Sequence, residues 1–357
     1  MVMEQWVTAQ DGLDNLRHLF HASGSVPQPR KDEVLVRIKA VSLNYRDTEV
    51  AMGLYNHHKS VSSDQPPLVP CSDMCGVIEA VGSNLSVPWK VGDRVMSTFN
   101  QSHLTGQIKA ADMGSGLGKP LEGVLQTYRV FPTTGLVKTP GYLSDVEASC
   151  LPIAAVTAWM SINGMRPMGE TVGKGETVLL QGTGGVAISG LLIAQAAGAK
   201  AIITSSSDAK LEKARQLGAD HTINYRTTPN WGEEVMRLTN NEGADIILET
   251  GGAKTLGQSF DAIAFGGLIA CIGYVSGKVD EPGDRTNVNL LALRRNVTLK
   301  GILNGPRDRF EEMCGFFEQH QIHPVVDRVF PFEEAKEALK YLFSGGHFGK
   351  VVIKVEQ

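Results

Sequence analysis

From about Ser149 the chain alternates short apolar runs with helix-patterned segments: ETVLLQG, AKAIITSS, DHTINY, ADIILETG, GGLIACIGYV and VTLKGILN follow one another in this way. A run apolar on both alternating faces is a strand covered on both sides, and such strands spaced by helices predict a parallel sheet. Six of them complete a doubly wound domain. The segment ISGLLIAQAAGA after the first run is apolar all round, so its helix must be buried. The first third reads differently. EVLVRIKAVSLN after Asp32, VIEAVG (Val77 to Gly82) and VGDRVMS (Val91 to Ser97) are short alternating strands between turn signals, which predicts a small β-rich domain. Gln101 to Gly123, with MGSGLGKP, is rich in glycine and reads as a surface loop. Two helical patterns, RDRFEEMCGFFEQH and FEEAKEALKYLF, then lead into GKVVIKV, a strand expected to rejoin the N-terminal domain. The fold class is therefore α/β, with a β-rich domain over 1–148, a doubly wound domain over 149–304 and a return over 305–357.

Composition narrows the function without naming it. At 357 residues the chain has room for two domains with cores of their own. A hydrophobic fraction of 42% and a net charge of -4 give no general attraction to polyanions, so nucleic acid is not an expected partner. The start, MVMEQWVTAQDG, lacks the basic and apolar regions of a signal peptide, and no apolar run is long enough to span a bilayer. Five cysteines at 71, 75, 150, 271 and 314 are too few and too scattered for a disulfide scaffold. A cytoplasmic protein with no membrane partner is the expectation.

The run GTGGVA supplies the first chemistry. Glu176 to Leu180 forms the strand; Gly182, Thr183 and Gly184 make the tight turn, and Gly185 and Val186 open the helix whose N-terminus would face a pyrophosphate. Ala187 takes the third small position, against the sheet. An NAD site usually carries a carboxylate at the end of the second strand, about 20 residues on. Here that strand ends in Ser205, Ser206 and Ser207, and Asp208 falls one step later, in the first helical turn. Serines with Lys210 offer hydroxyl donors and a cation to a 2′-phosphate, which points to NADPH. Read more plainly, the serines cap the helix and Lys210 is solvated.

The order of domains, with GTGGVA, VGDRV, LGADHTINYR and HFGKVVI, resembles the medium-chain dehydrogenase/reductase superfamily across essentially the whole chain. Within it the chain is similar to zinc-type alcohol dehydrogenase-like proteins of the zinc-lacking, quinone-oxidoreductase-like branch. The resemblance implies a GroES-like catalytic domain, a Rossmann domain and a homodimer joined through the Rossmann domains. Matching the zinc members' motifs puts Asn44 at the first ligand, Ser72 in place of the histidine and Ile153 at the third, and none of these is a good zinc ligand. No metal is expected.

The same resemblance assigns roles to particular residues. Asn44, in SLNYRD, would contact the nicotinamide ribose or the substrate, and its amide can donate to an oxygen on which charge builds. Tyr55, in MGLY, sits where enoyl reductases carry a proton-donating phenol. Thr157, in PIAAVTAW, would reach the cofactor, and Tyr225 would grip the 2′-phosphate with Lys210. Gly251, Gly273 and Leu303 follow strand ends that line the nicotinamide cleft. Against these stand plainer roles: Asn44 shaping a turn, Tyr55 packing, Thr157 bonding its own helix. Arg46 and Asp47 read as a structural pair, and for His57 and His58 a place in the pocket stays open. The expected activity is NADPH-dependent, zinc-independent hydride transfer to an activated C=C bond or a quinone. Metal-free alcohol or carbonyl interconversion and a non-catalytic dinucleotide-binding role are the alternatives.

Overall fold

The computed structural model describes residues 2–9, 16, 19–55, 67–277 and 287–355. The chain divides into two compact units, one of residues 1–156 and 305–357, the other of residues 157–304.

The first unit begins with an antiparallel ribbon of β1 (Val2–Thr8) and β2 (Leu19–Ser25). The long β3 (Glu33–Leu43) follows, then the short helix α1 (Tyr45–Ala51), β4 (Asp73–Val81), β5 (Arg94–Ser97), β6 (Tyr128–Pro132), β7 (Leu136–Lys138) and helix α2 (Asp145–Ala148). Val34, Val36, Ile38 and Val41 of β3 are fully enclosed with Ile78, Val95, Leu125 and Phe131. Each such side chain contributes about 1.5–3 kcal/mol on burial, which explains why this β-branched run anchors the unit. A single π turn, Leu151–Ala155, precedes helix α3 (Val156–Asn163).

The second unit is a parallel sheet of β8 (Thr177–Gln181), β9 (Lys200–Ser205), β10 (His221–Asn224), β11 (Ala244–Glu249), β12 (Ile263–Cys271) and β13 (Thr298–Gly301). Helices α4 (Gly185–Ala197), α5 (Asp208–Gln216), α6 (Trp231–Leu238), α7 (Leu256–Ala262) and α8 (Val288–Arg295) connect them. The order β10-β9-β8-β11-β12-β13 reverses direction between β8 and β11, and in doubly wound sheets the ligand crevice lies outside the carboxyl ends of the strands at that point. All six apolar runs of the sequence are strands of this sheet, and α4 is largely buried as its composition requires.

The chain then returns to the first unit through α9 (Arg307–His320), β14 (Val326–Pro331), α10 (Ala335–Phe343) and β15 (Lys350–Lys354). β15 pairs antiparallel with β3, Val351 opposite Leu43, so Lys350 arrives beside the start of α1.

Two expectations change. The chain divides at Val156 rather than at 148, because the π turn is held to β4, where the Ile153 N–H donates to Asp73 at 3.0 Å. The stretch 101–123 is only in part a surface loop. Leu117 is fully buried, and a Cβ on Gly118 or Gly123 would lie 2.7 or 2.2 Å from the Cys71 carbonyl oxygen. Those glycines serve backbone-to-backbone packing rather than exposure.

Candidate active site

In the first unit, Asn44, Ser72 and Ile153 converge on one buried carboxylate, although they lie far apart in sequence. Asp73 accepts from the Ser72 hydroxyl at 2.7 Å and from the Ile153 N–H at 3.0 Å. Asn44 is the residue before α1, and its N–H donates to Asp47 at 2.8 Å, closing the first helical turn. The centre of the cluster is an ammonium group: Lys350 Nζ donates to the Leu43 carbonyl and to Asn44 Oδ1, each at 2.6 Å. Asn44 Nδ2 is buried with no hydrogen-bond partner among the described residues. Burial pushes the Asp73 carboxyl up from its ordinary value, opposed by Lys350 and, less strongly, by the nearby Asn44 amide and Ser72. Burial likewise raises Asp47, to about 6, with Arg46 pulling the other way.

Tyr55 lies against the same cluster through Arg46. The Arg46 guanidinium carbon is 4.7 Å from the Tyr55 ring centroid and 4.8 Å from that of Phe99, and the phenol hydrogen-bonds to the guanidinium. Arg46 also contacts Asp47 at 3.3 Å and donates to the Leu117 carbonyl at 3.2 Å. Burial works against its charge, but Tyr55, Asp47 and Asp73 outweigh that and hold its pKa above the ordinary value. The pair read as structural therefore reaches the candidate proton donor. His57 and His58 lie outside the described residues.

In the second unit the GTGGVA turn has the form that a pyrophosphate needs. Gly182 has φ +80, a Cβ there would meet nothing within 4 Å, and α4 begins at Gly185 after an extended Gly184. Its first N–H groups are the natural anion donors. Thr183 is buried, while Gly185 and Val186 are half-buried at the helix start. Ala187 is buried, and Gly190 one turn on also makes a close helix-to-sheet contact: a Cβ on Gly190 would stand 2.7 Å from Leu180 Cδ2. Across the switch point, Gly251 belongs to the turn after β11, where Gly252 has φ +92. Gln181 and Glu249, at the two strand ends, are hydrogen-bonded at 2.7 Å.

The residues expected at the 2′-phosphate lie around the carboxyl ends of β9 and β10. β9 and β10 are neighbours with Ser205 opposite Asn224, and the Tyr225 N–H donates to the Ser205 carbonyl at 3.1 Å. Ser207 caps α5, accepting from the Lys210 N–H at 3.4 Å, so its hydroxyl does take the capping role. Ser206 and Lys210 are half-buried and Tyr225 is exposed at this corner. Asp208, the acidic group nearest the strand end, is held by Asn224 Nδ2 at 2.7 Å. Thr157 is buried in α3, with its carbonyl taken by Ser161. Gly273 follows β12, and a Cβ on it would lie 3.0 Å from the Thr250 carbonyl oxygen; Leu303 follows β13 and is partly exposed.

Sequence reasoning missed Lys350, Gln181 and Glu249. Gln181 and Glu249 each end an apolar strand with a polar group, which was the available signal; Lys350 opens its strand with no such mark.

With β8, the glycine turn and α4 arranged around the switch point, the residues present fit a dinucleotide. Comparison with known proteins agrees. The family described as "Alcohol dehydrogenase GroES-like domain" matches residues 30–141, and "Zinc-binding dehydrogenase" matches residues 185–319. A zinc-type alcohol dehydrogenase-like protein of Schizosaccharomyces pombe is 43% identical over 347 residues, 97% of this chain and 98% of that one. The chain belongs to the medium-chain dehydrogenase/reductase superfamily. An acryloyl-coenzyme A reductase of Sulfurisphaera tokodaii is 28% identical over 92% of this chain and 94% of its own. Among solved structures, an NAD-dependent alcohol dehydrogenase superposes with a TM-score of 0.83 at 31% identity, covering 99% of this chain and 100% of that one. The protein is an oxidoreductase of this superfamily with a dinucleotide cofactor. Among the described residues no helix is long and apolar enough to cross a membrane.

Proposed function

We propose that this medium-chain dehydrogenase/reductase is an NADPH-dependent, zinc-independent reductase of an activated C=C bond, an enone or enoyl group, or of a quinone. The observation that carries the reading is Lys350. Its ammonium is bonded to Asn44 Oδ1, so a fixed cation stands behind the residue that replaces the first zinc ligand. A positive charge and an amide donor there favour binding and polarising an acceptor carbonyl without a metal. Ser72 and Ile153 are committed to Asp73 through a hydroxyl and a backbone N–H, a donor set suited to a carboxylate rather than to zinc.

When bound, the dinucleotide supplies a hydride to the electron-poor carbon of the acceptor. The protein's own tasks follow. Gly182, Thr183, Gly184, Gly185 and Val186 hold the pyrophosphate. Thr157, Gly251, Gly273 and Leu303 face the nicotinamide end. Asn44 Nδ2 donates to the acceptor's oxygen as charge develops, and Tyr55 gives its phenolic proton to the carbon left electron-rich, taking another from solvent afterwards. Arg46 holds that phenol in place. The choice of NADPH rests on Ser205, Ser206, Lys210 and Tyr225 at adjoining strand ends, with Asp208 engaged by Asn224. A homodimer is part of the reading, supported by the open sheet edge at β13 and by exposed Leu290, Leu293 and Leu299. The free cysteines suit the reducing cytoplasm.

The test is loss of NADPH absorbance with a panel of enones, enoyl thioesters, quinones and simple aldehydes. Consumption with the conjugated acceptors and not with aldehydes is expected. Turnover of aldehydes or alcohols alone establishes instead the carbonyl reduction that the names of the relatives favour. No consumption despite tight dinucleotide binding establishes a binding protein. Stoichiometric zinc in the purified protein overturns the metal-free part.

A further inference from the structure

Glu249 is a carboxylate only 1% exposed, and among the described residues every group bonded to it is a neutral donor. Its two oxygens divide the work. Oε1 accepts from the Gly251 N–H at 2.8 Å, the Gly252 N–H at 3.0 Å and the Thr255 hydroxyl at 2.5 Å, tying the turn after β11 to the start of α7. Oε2 accepts from Gln181 Nε2 at 2.7 Å and from the Ser259 hydroxyl. Gln181 answers in the other direction: its Oε1 accepts from the Thr250 N–H at 3.1 Å and the Gly251 N–H at 3.3 Å, and its carbonyl accepts from the Thr250 hydroxyl at 3.1 Å. Gln181 immediately precedes Gly182. A buried charge compensated only by hydrogen bonds has a low tolerance for losing any of them, and a fully satisfied network of this kind is rigid.

We propose that Glu249, acting through Gln181, is the positioning residue that sets the spacing between the two turns that carry the dinucleotide, Gly182–Gly184 and Thr250–Gly252. The proposal rests on the reading that these turns bind the cofactor. It adds the device that keeps them in register: a shared carboxylate with one oxygen on the turn after β11 and the other joining Gln181, at the end of β8, to Ser259 of α7. The geometry also makes the two side chains exchangeable as a pair but not singly. In Glu249→Gln an amide nitrogen must face either the three donors on one side or the two on the other. In Gln181→Glu two carboxylates face each other. The double exchange, Glu249→Gln with Gln181→Glu, restores the match. The amide oxygen at position 249 can then accept from Gly251, Gly252 and Thr255 while the amide nitrogen donates to the carboxylate at position 181. That carboxylate also accepts from Thr250 and Ser259, so each donor keeps an acceptor.

The test is the dissociation constant for NADPH, read from its fluorescence on titration with the intact protein, beside thermal unfolding followed by circular dichroism. Each single exchange is expected to weaken binding about tenfold or more, and the double exchange to return to within about threefold of the original. Ser259→Ala, which removes one donor and leaves the charge, is expected to weaken binding about two- to threefold while staying folded, and it reads the proposal even if Glu249→Gln does not fold. A packing role alone would lower the melting temperature without changing the affinity of the folded molecules. Wild-type affinity in the single exchanges or in Ser259→Ala, or a folded double exchange no better than the singles, overturns the proposal. If the unaltered protein does not bind NADPH or NADH, the cofactor reading falls and takes the proposal with it.

Discussion

Lys350 Nζ donates to Asn44 Oδ1 at 2.6 Å across 306 positions of sequence, and so decides which way the Asn44 amide faces. With the oxygen turned to the ammonium, the nitrogen is the donor that the side chain offers, on the side of Asp73. Asn44→Ala removes that donor. The expected result is a fall in kcat/KM of about 10²- to 10³-fold, the loss typical of one oxyanion donor, with the NADPH dissociation constant unchanged. Lys350→Met removes the cation that offsets Asp73 and Asp47 and leaves the Leu43 carbonyl and Asn44 Oδ1 without their buried donor, which costs about 1–3 kcal/mol for each group left unsatisfied. Thermal unfolding should therefore separate the two variants: the lysine variant melts far lower, the asparagine variant much nearer to the parent. Equal kinetic defects in substrate and cofactor binding for Asn44→Ala count against its assigned role.

In the proposed function, cofactor choice is decided at the corner where β9 and β10 end. A lysine bonded to a phosphate contributes about 1.5–3 kcal/mol, roughly tenfold or more in affinity. Lys210→Ala should raise the Michaelis constant for NADPH by about that factor and leave the constant for NADH nearly unchanged. Equal changes in both would show that Lys210 does not meet the 2′-phosphate, and would leave Ser207 in its role as helix cap.

The parallel sheet was legible because each strand is covered on both faces, which writes the fold into the sequence as unbroken apolar runs. Gly182 was legible for a related reason, since a turn at φ +80 has few residues to choose from. The polar cluster around Asp73 was not. Asn44, Ser72, Ile153 and Lys350 are distant in sequence, and only the pairing of β15 with β3 brings Lys350 to the others. GKVVIKV reads as a strand and nothing in its period marks the lysine as buried. The 101–123 segment misled for the opposite reason: glycines that permit close backbone packing look in sequence like glycines that permit exposure.

Gly190 packs α4 closely against the sheet. A Cβ at that position would stand 2.7 Å from Leu180 Cδ2 and 3.1 Å from Leu248 Cδ2, so those leucine side chains must leave their places or α4 must shift to admit it. Overpacking of this kind costs about 1–3 kcal/mol, and Gly190→Ala is expected to lower the melting temperature accordingly. Gly257→Ala in α7 is the contrast. A Cβ there meets nothing within 4 Å, and the exchange should be neutral or stabilise by about 0.5–1 kcal/mol through helix propensity. Similar melting temperatures for the two variants would mean that α4 is not packed as tightly as the distances indicate.

Asp47 gives the fold a pH dependence of its own. Its carboxyl is fully buried, and burial raises its pKa in the folded chain from 3.8 to about 6 despite Arg46. The folded state therefore binds this proton more tightly than the unfolded state, so stability from this group is complete below about pH 4 and is lost as the pH rises through about 6. Full expression of a shift of that size corresponds to about 3 kcal/mol. Carboxylates such as Asp112, whose pKa is lowered by its bonds to the Lys109 N–H and Ser102, act in the opposite sense, so the total profile does not isolate the effect. The difference between the protein and Asp47→Asn does. Asparagine can still accept from the Asn44 N–H but does not titrate, so the stability of the variant relative to the parent should improve as the pH is raised from 4 to 7. Denaturant unfolding at fixed pH values measures it, and a relative stability that stays flat across that window would show that Asp47 is ionised in the folded chain throughout, held there by Arg46 and Lys350.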